Sequence, residues 1–213
     1  DLGDGRGFLF AQFYDNRNRL MDLGTKGSGT TPFSRSGDGR LTLKGAVREI
    51  LATEMLQALG VETSRTLSVI ETGESLQRQD EPSPTRSAVL VRLSHSHIRI
   101  GSFQRLFYHD DADGIETLAR HVARHYYATP EYSAVVDADA GLEDLLADLL
   151  QAIASRIAVT AGQWMGAGFV HGVLNTDNFN VTGESFDYGP WRFLPQFDAG
   201  LTAAYFDQTG RYA

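Results

Sequence analysis

The sequence predicts an α+β fold in which a small sheet lobe precedes a helical lobe. Short apolar, β-branched or aromatic runs occupy the first half of the chain. One segment of helical periodicity interrupts them, and two longer helical segments dominate the second half. Strands and helices that segregate along the chain in this way belong to the α+β class rather than to alternating α/β units.

Each element has its own justification. Asp1-Leu2-Gly3-Asp4-Gly5-Arg6 reads as a turn between strands. Gly7 to Tyr14 is short, apolar and aromatic-rich, and Arg19 to Lys26 follows as a second strand. Gly27 to Gly39 carries Gly, Ser, Thr and Pro and reads as a loop. Leu41 to Leu59 has helical spacing, with Leu43, Val47, Ile50, Leu51 and Met55 recurring and Gly60 supplying the stop. Arg65 to Glu71 and Ser87 to Leu93 are β-branched runs, and the polar, proline-containing stretch from Gln77 to Thr85 is the tip of the hairpin they form. The chain becomes helical after Ser102, with Ile115 to Ala128 and Leu142 to Met165 as its main segments. Val181 and Phe193 are expected in short strands flanking a tight turn at Asp187. A hinge is expected between Ser94 and Gly101, dividing a sheet lobe at 1–98 from a partial helical lobe at 99–213. Both ends read as cut, so the chain is expected to be a piece of a longer protein.

At 213 residues the chain is long enough for two lobes around a cleft. A hydrophobic content of 42% with 22% charged residues is ordinary for a soluble globular protein. The net charge of -8 argues against a nonspecific nucleic-acid partner. No unbroken apolar run approaches the ~20 residues of a membrane helix, so no membrane partner is expected. With no cysteine, disulfides, thiolate chemistry and cysteine-ligated zinc are excluded within these residues. Two lysines, Lys26 and Lys44, stand against seventeen arginines, so any essential lysine is one of those two. Without an address signal, a cytoplasmic bacterial protein is the default expectation, and the arginine bias suits a GC-rich genome.

The strongest chemical signal is the run His171-Gly172-Val173-Leu174-Asn175-Thr176-Asp177-Asn178-Phe179, followed by Asp187-Tyr188-Gly189. It looks like the catalytic loop and metal-binding turn of a protein-kinase-like two-lobed fold. There an Asn and an Asp hold the metal ions that bridge ATP phosphates. Asn178 and Asp187 are oxygen donors suited to Mg²⁺, or to Mn²⁺ in its place. The residue that usually follows His-Gly or His-Arg is an Asp that orients the attacking hydroxyl. Here it is Val173, which has no such chemistry. Asp177 becomes the best candidate base, and His171 reads as a support for the loop. The combination suggests a pseudokinase that binds ATP and transfers a different part of it.

Other residues fit the same cleft. Gly3 and Gly5 allow backbone N–H groups to approach a phosphate, and Arg6 adds a cation, although an ordinary hairpin turn accounts for the same pattern. Lys26 ends a strand and is placed to reach phosphates if a carboxylate holds it. Glu49 is that candidate, because at helical spacing it shares a face with Gly45, Ala52, Thr53 and Leu56; Glu54 is the rival. Asp38-Gly39, taken alone, reads as a turn. Arg92 closes a strand and suits bidentate phosphate binding, and Arg99 follows it, though surface ion pairs explain most arginines. His95, His97, His121 and His125 lack further ligands and read as hydrogen-bonded or surface histidines.

The chain resembles, from end to end, the selenoprotein O family of kinase-like protein adenylyltransferases. The most specific stretches are Lys26-Gly27-Ser28-Gly29-Thr30-Thr31-Pro32-Phe33-Ser34-Arg35 with Asp38-Gly39-Arg40, then Ser96-His97-Ile98-Arg99-Ile100-Gly101, and the two motifs at His171–Asn178 and Asp187–Pro190. The resemblance implies that ATP lies flipped in the cleft. AMP is then transferred to Ser, Thr or Tyr hydroxyls of protein substrates and pyrophosphate leaves. It also implies nucleotide contacts at Gly3, Gly5, Arg6, Lys26, Asp38, Gly39, Arg92, Arg99 and Asp187. Glu49 is implied as the partner of Lys26, Asn178 and Asp187 as metal ligands, and Asp177 as proton acceptor. A γ-phosphate-transferring kinase and a nonenzymatic nucleotide-binding scaffold are the competing readings.

Overall fold

The computed structural model describes residues 7–32, 34, 37–129 and 135–212. Gly3, Gly5 and Arg6 lie outside the described residues. The fold is mixed α+β. Strands β1 (Leu9–Tyr14), β2 (Leu20–Lys26), β3 (Leu41–Thr42), β4 (Arg65–Leu76) and β5 (Thr85–Ser94) form one antiparallel sheet. β5 is its centre. It pairs with β2 at Lys26↔Leu90 and Gly24↔Arg92, with β3 at Leu41↔Ala88, and with β4 along its other edge.

Helix α1 (Leu43–Ala58) starts later than its periodicity implies, because Leu41 and Thr42 are used as a strand. The Thr42 hydroxyl then caps the helix by accepting from the Gly45 N–H at 3.0 Å. The buried face is Ala46, Glu49, Ala52, Thr53 and Leu56. The apolar ridge that marked the helix in the sequence points outward, with Val47 43%, Leu51 54% and Met55 47% exposed. Small side chains let α1 lie close to the sheet, where Ala46 packs with Leu41, Ala88 and Leu90.

The second half contains α2 (Ile100–Tyr108), α3 (Ala112–Val122), a π-helical turn (Ala123–Tyr127) and α4 (Leu142–Ala167). β6 (Phe169–His171) and β7 (Trp191–Phe193) form a separate hairpin. The widened turn after α3 brings Tyr126 and Tyr127 into the core, and the Tyr127 hydroxyl donates to the Val181 carbonyl at 2.7 Å. α4 is long and apolar enough to cross a membrane by length and composition, although Asp144, Asp148 and Arg156 interrupt its apolar run. Leu145, Leu149, Ala152 and Ile153 of α4 pack against α3, and Trp164 packs against α1 and the β6–β7 hairpin.

Val181 does not lie in a strand. It sits in a turn between isolated bridges at Phe179↔Ser185 and Arg99↔Asn180, and β7 pairs with β6 instead. Asn180, fully buried, organises that turn. Its amide nitrogen donates to Ser94 Oγ (3.1 Å) and the Ser96 carbonyl (2.8 Å). Its oxygen accepts from the Thr182 N–H (3.1 Å), the Thr182 hydroxyl (2.8 Å) and the Glu184 N–H (3.0 Å). Asn180 thereby fastens the end of β5 to the segment leading into Asp187. Asn180→Ala leaves several of these buried groups unpaired, and a loss of about 3 kcal/mol is expected. A urea-denaturation midpoint matching wild type would contradict that role.

Candidate active site

β2 delivers Lys26 from the middle of the sheet, opposite Leu90. The chain turns away immediately afterwards at Gly27, whose φ of +91° suits glycine and where a Cβ would fall 2.5 Å from that of Leu41. Lys26 is buried and forms ion pairs with Glu49 and with Asp187, the latter at 2.6 Å. The same Glu49 oxygen accepts the Tyr188 N–H at 3.1 Å. Burial pushes the Glu49 carboxyl upward and the Lys26 ammonium opposes that shift. Glu54, the rival partner, is exposed. No turn forms at Asp187, where the sequence predicts one; α1, β2 and the irregular segment around Asp187 converge on one ammonium group.

His171 ties the loop to that segment. Its Nδ1 accepts the Val173 N–H at 3.2 Å, which leaves the proton on Nε2, and Nε2–H donates to the Asp187 carbonyl at 3.0 Å. Burial lowers its pKa, consistent with this neutral tautomer. Trp164 stacks on both His171 and Phe179, with ring centres 5.5 and 5.4 Å away, and forms the floor under the loop. The Asn178 amide nitrogen donates to the Val173 carbonyl, which commits that end of the amide and leaves its oxygen as the end that could face a metal ion. The Asp177 N–H is held by Asn175 Oδ1 at 2.9 Å. From α2, Gly101 N–H donates to the Thr176 carbonyl at 2.9 Å.

Arg92 and Arg99 meet at Phe186, a residue the sequence reading did not single out. The Arg92 and Arg99 guanidinium carbons lie 4.7 and 5.3 Å from the Phe186 ring centre. Arg92 also donates to the Phe186 carbonyl at 2.8 Å. The His97 ring stacks on the same phenyl group at 5.5 Å. The aromatic residue before Asp187 is therefore the platform that gathers both arginines.

His95 and His97 are not surface residues. Burial depresses His95 to about 4. Burial, reinforced by Arg92 and Arg99, depresses His97 to about 3, so both rings are neutral. The His97 N–H donates to Asp22 at 2.6 Å and the His95 N–H to Glu184 at 3.3 Å. Their alternation in the sequence looked like an exposed strand, but this stretch threads between the sheet and the 180–185 turn.

Asp38 is held in a turn by the Arg40 N–H at 2.9 Å and by both terminal nitrogens of Arg78 at 2.9 and 3.0 Å. Gly39 is backed tightly against Gly29, whose N–H donates to the Gly39 carbonyl at 3.1 Å. Neither contacts the Lys26 cluster among the described hydrogen bonds. A cavity of about 470 Å³ reaches Lys26, Lys44, Arg48, Glu49, Tyr188 and Arg192, but Arg92, Arg99, Asp177 and Asn178 do not line it.

Burial, reinforced by the Glu62 carboxylate, raises Glu184 from an ordinary 4.5 to about 7, while Arg19, Arg156 and the His95 N–H oppose that shift. An acid raised on folding stabilises fully below its unfolded pKa, and that contribution is lost as pH rises through 7. Glu184→Gln is expected to gain stability relative to wild type from pH 4.5 upward, levelling above 7 at a ceiling on the order of 3 kcal/mol. Thermal unfolding of both proteins across that range checks it; parallel curves would refute it.

A family model described as protein adenylyltransferase SelO matches residues 1–213. A protein nucleotidyltransferase YdiU from Synechocystis sp. is 56% identical over 212 residues, covering 100% of this chain and 43% of the relative. One of the same name from Gloeobacter violaceus is 57% identical over 212 residues, covering 100% of this chain and 42% of the relative. A third, from Pseudarthrobacter chlorophenolicus, is 41% identical over 213 residues, covering 100% of this chain and 41% of the relative. The chain thus spans well under half the length of these curated relatives. With the family match running from the first residue to the last, the chain belongs to the SelO family.

Proposed function

We propose that the protein containing this chain is a pseudokinase that transfers AMP from ATP to Ser, Thr or Tyr hydroxyls of protein substrates. Its frame is read as a kinase-like two-lobed fold, with a sheet lobe at 1–98 and a partial helical lobe at 99–213. The observation that carries the reading is the buried Lys26–Glu49–Asp187 cluster beside a loop with aliphatic Val173 where a kinase places its base. The names of the family model and of the relatives support the same chemistry.

The donor set fits Mg²⁺ or Mn²⁺. Asp187 offers a carboxylate and Asn178 an amide oxygen. Among the described residues no three His, Cys, Asp or Glu side chains converge, as suits an ion whose remaining ligands are phosphates and water. A bound ion supplies neutralisation of triphosphate charge. Lys26, Arg92 and Arg99 bind the phosphates, and Gly3, Gly5, Arg6, Asp38 and Gly39 make further contacts to the nucleotide. Asp177 accepts the proton of the acceptor hydroxyl as its oxygen attacks the α-phosphorus. The bond from the α-phosphorus to the bridging oxygen breaks, and pyrophosphate leaves. Positioning and electrostatics supply most of the rate.

The test is full-length protein incubated with ATP labelled separately at the α- and γ-phosphates. Label on protein from the α position alone is expected. Label from the γ position would establish a kinase instead, and binding without transfer would establish a scaffold.

A further inference from the structure

We propose that Gly101, with the first turn of α2, is the positioning element for the Asp177 carboxylate. This rests on the assignment of Asp177 as proton acceptor. A Cβ built on Gly101 would stand 2.7 Å from Asp177 Oδ1, well inside contact distance. The next nearest atoms, the Thr176 carbonyl oxygen and carbon, would be 3.4 and 3.6 Å away, which is ordinary contact. The atom that most tightly fills the space beside Gly101 is therefore the end of the Asp177 side chain.

The same turn grips the neighbouring residue from two sides. Gly101 N–H holds the Thr176 carbonyl at 2.9 Å, and the Thr176 hydroxyl donates to Gln104 Oε1 at 2.6 Å. Ile100 N–H donates to the Phe179 carbonyl at 3.1 Å on the far side of Asp177. The backbone of the loop is thus pinned to α2 before and after Asp177, and Gly101 leaves room for its carboxylate between those pins. α2 begins directly after Arg99, so one short segment sets both a phosphate-binding cation and the proton acceptor.

A methyl group at position 101 meets the movable end of a side chain, not backbone. The cost to folding is small, because Asp177 can rotate away. The cost to catalysis is large, because a base displaced by about 1 Å loses much of its advantage. Gln104→Ala acts on the same loop without adding bulk and is expected to have a smaller effect of the same kind.

The experiment uses full-length Gly101→Ala and Gln104→Ala, each alone and combined with Asp177→Ala. It measures the ATP dissociation constant and the rate of α-label transfer. Expected for Gly101→Ala is ATP affinity within about twofold of wild type and a transfer rate lower by about tenfold to a hundredfold. Expected for Gln104→Ala is a fall of about threefold. In the Asp177→Ala background neither change lowers the residual rate further, because the group they position is gone. Wild-type transfer in Gly101→Ala, or equal fold losses with and without Asp177, would overturn the proposal. If Gly101→Ala does not fold, the Gln104→Ala pair decides by the same criterion. Absence of α-label transfer by wild type would instead overturn the adenylyltransferase reading.

Discussion

Asp187→Ala in the full-length protein is expected to lower AMP transfer by about a thousandfold or more and to remove the Mg²⁺ dependence of ATP binding. The fold should survive. Asp187 is one of two carboxylates on Lys26, and the more buried one, Glu49, stays in place when Asp187 is removed. Removing Asp187 also relieves a repulsion that raises the Glu49 pKa. Lys26→Ala makes the opposite trade. It leaves Glu49 buried without its cation, and a loss of roughly 3–5 kcal/mol is expected alongside the loss of activity. The two variants therefore separate in a melting experiment even where both are inactive. Wild-type labelling with unchanged Mg²⁺ dependence in Asp187→Ala would refute the metal assignment.

Asp177→Ala is expected to reduce AMP transfer by about a hundredfold to ten-thousandfold with ATP affinity nearly unchanged, since a base acts on the acceptor hydroxyl. Its companion is Val173→Asp. The hydrogen bonds of Val173 are made by its backbone, N–H to His171 and carbonyl from Asn178, so a new side chain leaves that frame standing. In a degraded kinase the added carboxylate would restore γ-phosphoryl transfer. In a site built for a flipped nucleotide it faces pyrophosphate oxygens, where like charges repel. No γ-label on the acceptor and a loss of α-label are expected. Appearance of γ-label in Val173→Asp would favour the degraded-kinase reading.

The motifs were legible because their residues are close in sequence. His171 to Asn178 and Asp187 to Gly189 are each contiguous runs, and Glu49 announced its inward face by the small residues beside it. The sequence of elements, strands, one helix, strands and then mostly helices, was legible from composition. What escaped depends on partners distant in the chain. The apolar ridge of α1 marked the helix but did not show that much of the ridge faces outward, because periodicity locates a stripe and not the surface it meets. Phe186 read as one more aromatic residue until Arg92, Arg99 and His97 arrived around it from the other half of the chain. Asn180 was not singled out, yet its amide joins segments more than eighty residues apart. His95 and His97 looked exposed because nothing in their own neighbourhood reveals what covers them.

The Lys26–Glu49–Tyr188 junction also limits how such a site can be turned off. Many two-state switches work by letting one helix swing away from a sheet. Here an outward swing of α1 would pull a single carboxylate from both the Lys26 ammonium and the Tyr188 N–H, leaving Lys26 with Asp187 alone among the described residues. Both contacts favour the docked position of α1. α1 is a latch that rests closed on Lys26.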